Sequence, residues 1–327
     1  MRRLTKAGFP GDFVKTALLP DWWDRAAADD EGVLPDIEIR VARFLGCPIA
    51  SVRDPGVPLV APPCPGAQLR RVSRGDRDRL APAIYAAVQI SEAVTRCLQA
   101  MDTRVVMPPP DGADWRRSVA RGHAVVTLDD VVSDLWSRGI PVVPVDVLPS
   151  PSFQGAAIVV RERPVIVVGH KHREPGRLAF IIAHEVGHIA KRDCAIDQPV
   201  IDGEEEVADT SEMETLADRY AFRLLAMGDE PPLVSGATYR ELAQAALQIE
   251  RETGAEASSI IFGWAYRTKE YGKARQALEA IYRHVGGRLK LRNHLERHLN
   301  LNGAPESDRA LLRCVGGELE RDAVAAR

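Results

Sequence analysis

The stretch "IIAHEVGHIAKRD", residues 181–193, places His184 and His188 four residues apart, with Glu185 directly after the first histidine. At 3.6 residues per turn the two imidazoles project from one helix face about one turn apart, close enough to meet a single metal ion. Zinc takes such nitrogen donors, and a catalytic zinc keeps three protein ligands and leaves its fourth position to water. Glu185 would stand beside that water as general base. Downstream, "ETLAD" offers Glu214 as the third ligand, with Asp218 one turn on to accept the spare ring N–H of a ligand histidine. Glu212 competes with Glu214 from another face of the same helix. The apolar "LAFII" before the motif and "IA" after it predict a buried helix, where two histidines and a glutamate without partners would be costly.

The flanking sequence supplies the elements that must position these groups. "LDDVVSDLWSRG" reads as a helix ending at Gly139, "IPVVPVDVL" as a strand, and "AAIVV" with "PVIVVG" as a hairpin. A helix carries the histidines, a long acidic insertion "DCAIDQPVIDGEEEVADT" follows, and "SEMETLADRYAFRLLAM" is helical again. Upstream, "DIEIRVARFL" is a short amphipathic helix stopped by Gly46. "VPLVAPPCPG" is too rich in proline to be helical and reads as a linker. The alanine-rich stretch 80–101 favours a long helix, and "MPPPDG" marks a boundary. The expected organisation is α+β: a helical N-terminal region over 1–110, a metallopeptidase core over 111–230, and a helical C-terminal region over 231–327.

"RLAFIIAHEVGHI" followed by "ETLADRYAFRLL" resembles the ImmA/IrrE family of bacterial metallo-endopeptidases, and the likeness extends upstream through "SRGIPVVPVDVL" to cover roughly residues 120–230. The resemblance implies a zincin-like fold, one Zn2+ per chain held by His184, His188 and Glu214, and Glu185 as catalytic base. It implies that the metal acidifies a water and polarises a peptide carbonyl, while Glu185 moves the proton to the leaving amine. It implies as substrate a helix-turn-helix repressor encoded nearby, whose loss releases a stress or anti-phage operon. The long acidic loop, and "AMGD" where relatives often carry Met-Pro, depart from the family pattern. The strand pair near 156–168 would offer an edge to an extended substrate. His170, His172 and Tyr220 are candidates by type for stabilising an oxyanion.

Other segments suggest regulation. "PDIEIRVARFLGCPIASV" resembles the later part of a small repressor-type helix-turn-helix domain. Arg70, Arg71, Arg74, Arg77 and Arg79 form one basic cluster, which Asp76 and Asp78 dilute. Arg288, Lys290, Arg292 and Arg297 form a more one-sided cluster suited to a phosphate backbone. Trp264, Tyr266 and Tyr271 precede it as stacking groups for single-stranded DNA. Cys64, in the proline-stiffened linker, and Cys97, on the long helix, are candidates for a thiolate that holds the metal closed. The competing class is a non-proteolytic regulator, stabilised by zinc, that binds DNA or protein.

Composition bounds these readings. With 327 residues, 45% hydrophobic and 27% charged, and a net charge of -3, the chain can bury a large core and has no global field drawing it to nucleic acid or membrane. No apolar run approaches the roughly 20 residues that span a bilayer, and the N-terminus has no secretory pattern, so a cytoplasmic location is expected. Five scattered cysteines without a CxxC pair indicate neither a disulfide framework nor a cysteine-rich zinc site.

Overall fold

The computed structural model describes all residues except 21, 25–31, 65, 71–77, 99–103, 121–124, 170–171, 197, 204–210, 283–285 and 317–327. Four helices open the chain: α1 (Arg2–Lys6), α2 (Gly11–Ala17), α3 (Leu34–Leu45) and α4 (Ile49–Arg53). They close around aromatic rings, Phe44 lying 5.2 Å from Phe9 and 5.8 Å from Phe13 between centroids. Gly46 ends α3 at φ 61°, a conformation that glycine adopts without a Cβ penalty. Beyond the proline-rich linker come a short strand, β1 (Gln68–Arg70), and the alanine-rich helix α5 (Ala81–Cys97).

The central elements are α6 (Gly112–Val119), α7 (Leu128–Ser137), β2 (Val142–Pro144), β3 (Phe153–Val160), β4 (Arg163–Val168), α8 (Pro175–Lys191), β5 (Val200–Gly203) and α9 (Glu212–Leu225). The chain continues as α10 (Tyr239–Thr253), α11 (Ala257–Thr268), α12 (Tyr271–Ile281), α13 (Gly287–His298) and α14 (Glu306–Leu312). Fourteen helices and one five-stranded mixed sheet among the described residues make this an α+β arrangement.

The sheet runs β1-β5-β3-β4-β2, with β3 antiparallel to both β4 and β5, and with β1 parallel to β5 and β2 to β4. The predicted hairpin is present as β3–β4. Its two-residue turn puts Arg161 and Glu162 in the left-handed region at φ 49° and 66°, the mirror-image turn that matches strand twist, without the Asn-Gly pair that usually announces it. The expected free edge at 156–168 is corrected: β3 and β4 are interior strands, and the outer strands are β1 and β2.

Strands β3 and β4 are buried on both faces. Helices α8 and α5 both pack on these two strands without packing substantially on each other, which puts them on opposite faces of the sheet. A single large core, from Leu4 to Val315, draws residues from the N-terminal helices, the sheet, α8, α9, α13 and α14. A smaller core holds α10, α11 and α12 together. No helix among the described residues is long and apolar enough to cross a membrane.

Candidate metal centre

Pro175 opens α8, its missing N–H costing nothing in the first turn, and thirteen of the seventeen helix residues are buried because sheet, α7 and α9 surround it. Helix α9 starts at Ser211, whose hydroxyl accepts from the Glu214 N–H. The two helices cross closely at Gly187, where an added methyl would come within 3.0 Å of the Ala217 Cα. That approach carries Glu214 to the histidines. Glu212, the competitor one face away, is exposed, and Glu214, the expected third ligand, is the one buried with the histidines.

His184, His188 and Glu214 are all buried and converge. The two Nε2 atoms lie 3.2 Å apart, and each lies 3.3 Å from a different oxygen of Glu214. Donors about 2.0–2.1 Å from a tetrahedral zinc are spaced about 3.3–3.4 Å from one another, so the two nitrogens have the separation of zinc donors and the Glu214 carboxylate straddles them, one oxygen toward each ring. The cluster can hold one metal ion.

Each histidine is oriented from behind by a carboxylate. His184 Nδ1 lies 2.9 Å from Asp218 Oδ1, and His188 Nδ1 lies 3.1 Å from Asp193 Oδ2. With Nδ1–H donating, both Nε2 lone pairs are left for the metal. Asp193 reaches His188 because α8 ends in Arg192 at φ 61°, and the turning chain sends the Asp193 N–H back to the His188 carbonyl at 2.9 Å. Replacing Asp193 by alanine is expected to weaken zinc binding by about 10- to 100-fold, read by competition with a chromogenic chelator.

Burial alone would disfavour a charged imidazole, but the bonds to Asp218 and Glu214 outweigh it, and His184 titrates well above its ordinary range. His188 is raised likewise: burial opposes the charge, while Asp193 and Glu214 favour it. Burial pushes the Glu214 carboxyl up, yet its bonds to both histidines pull it below the usual carboxylate range. In the metal-free cluster these contacts favour the charged forms of the imidazoles and of Glu214.

Glu185 points from α8 toward the sheet. Its side chain is fully buried, and neither carboxylate oxygen has a hydrogen-bond partner among the described residues. Burial raises its pKa to about 8, against the opposing pull of His184 and His188. Gly155 on β3 makes the space: a methyl there would press into Glu185 Oε1 and come within 2.9 Å of the Ile181 Cγ2. Gly155→Ala is thus expected to displace Glu185 while leaving the three metal donors in place. Zinc content would stay at one per chain, and any activity that depends on Glu185 would fall by at least about tenfold, since a misplacement near 1 Å can cost about 100-fold.

Across the sheet at this level, Arg70, Asp202 and Gly155 are neighbours on β1, β5 and β3. Asp202 is buried, and its charge raises both His184 and Glu185. Asp193, Asp202, Gly155 and Arg70 were not singled out by sequence for this site. Asp193 alone carried a readable signal, lying five residues past His188 where the helix had to end.

Other candidate residues do not join the site. Cys97 is buried at the end of α5, on the opposite face of the sheet from α8, and Cys64 packs half-buried against the large core. Neither belongs to the group of metal-capable side chains, so the thiolate latch is corrected. Tyr220 is buried and donates its hydroxyl to the Pro109 carbonyl at 2.8 Å, a packing role. His172 is half-buried outside the ligand cluster, and His170 lies outside the described residues.

The basic run on α13 is also corrected. Arg288 is buried, with hydrogen bonds to Asp146 Oδ1 at 2.8 Å and to the Gly169 carbonyl at 2.6 Å. Arg292 donates to Asp146 Oδ2 at 2.8 Å, and Lys290 pairs with Asp129. Arg288 and Arg292 tie α13 to the loops after β2 and β4, and Lys290 ties it to α7, so three of the four cations are engaged within the fold; Arg297 is exposed and has an interaction of its own. Trp264 belongs to the small core and Tyr271 packs against it, while Tyr266 is exposed with the Lys269 ammonium 4.1 Å from its ring centre. Of the first basic cluster, Arg71, Arg74 and Arg77 lie outside the described residues. Compared with known proteins, the chain matches no protein-family model and no curated relative.

Proposed function

We propose that this chain is a zinc-dependent endopeptidase with a zincin-type core of the ImmA/IrrE kind, and that its substrate is a partner helix-turn-helix repressor whose cleavage releases a stress or anti-phage operon. The observation that carries the reading is Glu185, a fully buried carboxylate with no hydrogen-bond partner among the described residues, placed beside three converging metal donors. A purely structural metal site has no use for such a group, and burying it costs free energy that a catalytic role explains.

Zinc held by His184, His188 and Glu214 would polarise the scissile carbonyl and acidify a water at the open position. Glu185 accepts the proton of the attacking water and returns it to the leaving amine. Its raised proton affinity suits that exchange near neutral pH. Asp218 and Asp193 fix the ring orientation of His184 and His188, and Gly155 keeps the sheet backbone clear of the base. The repressor substrate rests on the sequence resemblance alone. Sensing of single-stranded DNA by the α13 run is not part of the proposal, because its cations are engaged in ion pairs.

The test is incubation of the zinc-loaded protein with the repressor encoded beside it, with fragments read by mass spectrometry. A discrete cut that a chelator abolishes and zinc restores is expected. An intact repressor at full zinc occupancy, with denatured casein also uncut, would overturn the proposal.

A further inference from the structure

Arg70 brings a cation to the metal centre from the sheet. Its partner across the sheet is Asp202 on β5, whose own partner is Gly155 on β3, and residues paired in this way point to one face. A methyl on Gly155 would meet Glu185 and Ile181 of α8, so that face is the one the histidine-bearing helix covers. Arg70 and Glu185 therefore approach the three donors from strands two places apart, about 9.5 Å at the backbone. The Arg70 side chain is 20% exposed, and its Nε, 3.9 Å from Glu214 Oε1, is buried without a hydrogen-bond partner among the described residues. The guanidinium is fixed through Nη2, which lies 3.1 Å from both Gln68 Oε1 and Met213 Sδ. Gln68 is fixed in turn, its side-chain amide donating to the Asp193 carbonyl and its backbone N–H to the Pro199 carbonyl, both at 2.8 Å.

We infer that Arg70 donates through Nε to the carbonyl oxygen of the scissile peptide as that oxygen gains negative charge. The inference rests on the peptidase reading of the site. A buried N–H without a partner is costly to keep, and an acceptor that arrives with the substrate accounts for it. As the water oxygen bonds to the carbonyl carbon, the C=O electron pair moves onto the carbonyl oxygen and one water proton passes to Glu185. When that pair returns, the C–N bond breaks and the proton leaves with the amine. Charge thus grows and fades on one oxygen, and a donor already fixed in place stabilises it without rearranging. Glu185 is occupied with the proton on the β3 side, and Tyr220, suited by type to the oxyanion, donates to the Pro109 carbonyl instead.

The experiment compares zinc-loaded wild type, Arg70→Met and Arg70→Lys. It reads zinc content, kcat and KM separately for the repressor, and the Kd of a phosphinic peptide carrying the residues on either side of the repressor's cut. The phosphinate presents a charged oxygen where the planar substrate presents a neutral one, so its affinity follows the transition state. Arg70→Met keeps the apolar stem and is expected to keep its zinc. Its kcat should fall about 100-fold with KM within about threefold of wild type, and it should bind the phosphinic peptide about 100-fold more weakly. Arg70→Lys, which keeps the charge and loses the Nε–H, should fall between the two. A loss that follows zinc content, a raised KM at unchanged kcat, or an unchanged phosphinic-peptide Kd would overturn the role of Arg70 and leave the peptidase standing. A wild type that holds zinc yet cuts neither repressor nor casein would overturn the peptidase reading and the role of Arg70 together.

Discussion

Glu185→Gln is expected to keep one zinc per chain and to lose cleavage by about 100- to 10,000-fold, the range that a positioned general base supplies. The amide is close to isosteric, so the space under Gly155 stays filled and the three donors are undisturbed. It also removes a buried ionisable group that has no hydrogen-bond partner among the described residues, so the variant should be no less stable than wild type, and a higher melting temperature is expected. Unchanged zinc content, a melting temperature at or above wild type and lost turnover form one pattern, read from metal analysis, thermal unfolding and cleavage. Retained cleavage would remove Glu185 from the chemistry.

The second large effect is the dependence of zinc stabilisation on pH. In the metal-free protein the pKa values of His184 and His188 are raised above their ordinary 6.5 by Asp218, Asp193 and Glu214. Such groups contribute stability that is fully present below the unfolded pKa and is lost as pH rises through the folded values. Glu214 has the opposite sign: its pKa lies below its ordinary 4.5, so its contribution is present above that value and is lost in acid. The metal-free protein should therefore become less stable on the alkaline side of neutrality. Zinc must displace the histidine protons, so its affinity grows with pH over the same interval. The gap in melting temperature between zinc-loaded and metal-free protein should widen between pH 6 and 9. At a free zinc concentration about 1,000 times Kd the stabilisation is about 4 kcal/mol. A constant gap across that range would mean that the histidines do not exchange protons for metal.

Much of the site was legible because it lies on two helices, where spacing in sequence translates directly into position. His184, Glu185 and His188 needed only the 3.6-residue period, and Glu214 with Asp218 only the next helix. The choice of Glu214 over Glu212 was not legible by period alone; Gly187 decides it by letting α9 approach until one face is buried. Asp193 was passed over because its reach depends on a left-handed residue, Arg192, of a type that rarely takes that conformation.

Sheet order was the poorest inference. β1 and β5 are only three and four residues long, and β5 sits in a stretch that reads as a polar insertion, so nothing local marked them as strands that would cover β3. The edge was assigned to the hairpin because β1 and β5 were not visible as strands and the strand read at 140–148 gave no sign of where it would pair. The charge run on α13 failed for a related reason. Asp129 and Asp146, which pair with its cations, precede it by more than 140 residues, and a one-sided basic sequence does not show its distant counter-charges.

The most direct measurement is X-ray absorption at the zinc edge on the zinc-loaded protein. Two imidazole nitrogens, one carboxylate oxygen and one exchangeable light atom, all at about 2.0–2.2 Å and with no sulfur, are the result expected of an open catalytic centre built from His184, His188 and Glu214. A sulfur neighbour at about 2.3 Å, or a protein that takes up no zinc, would contradict it.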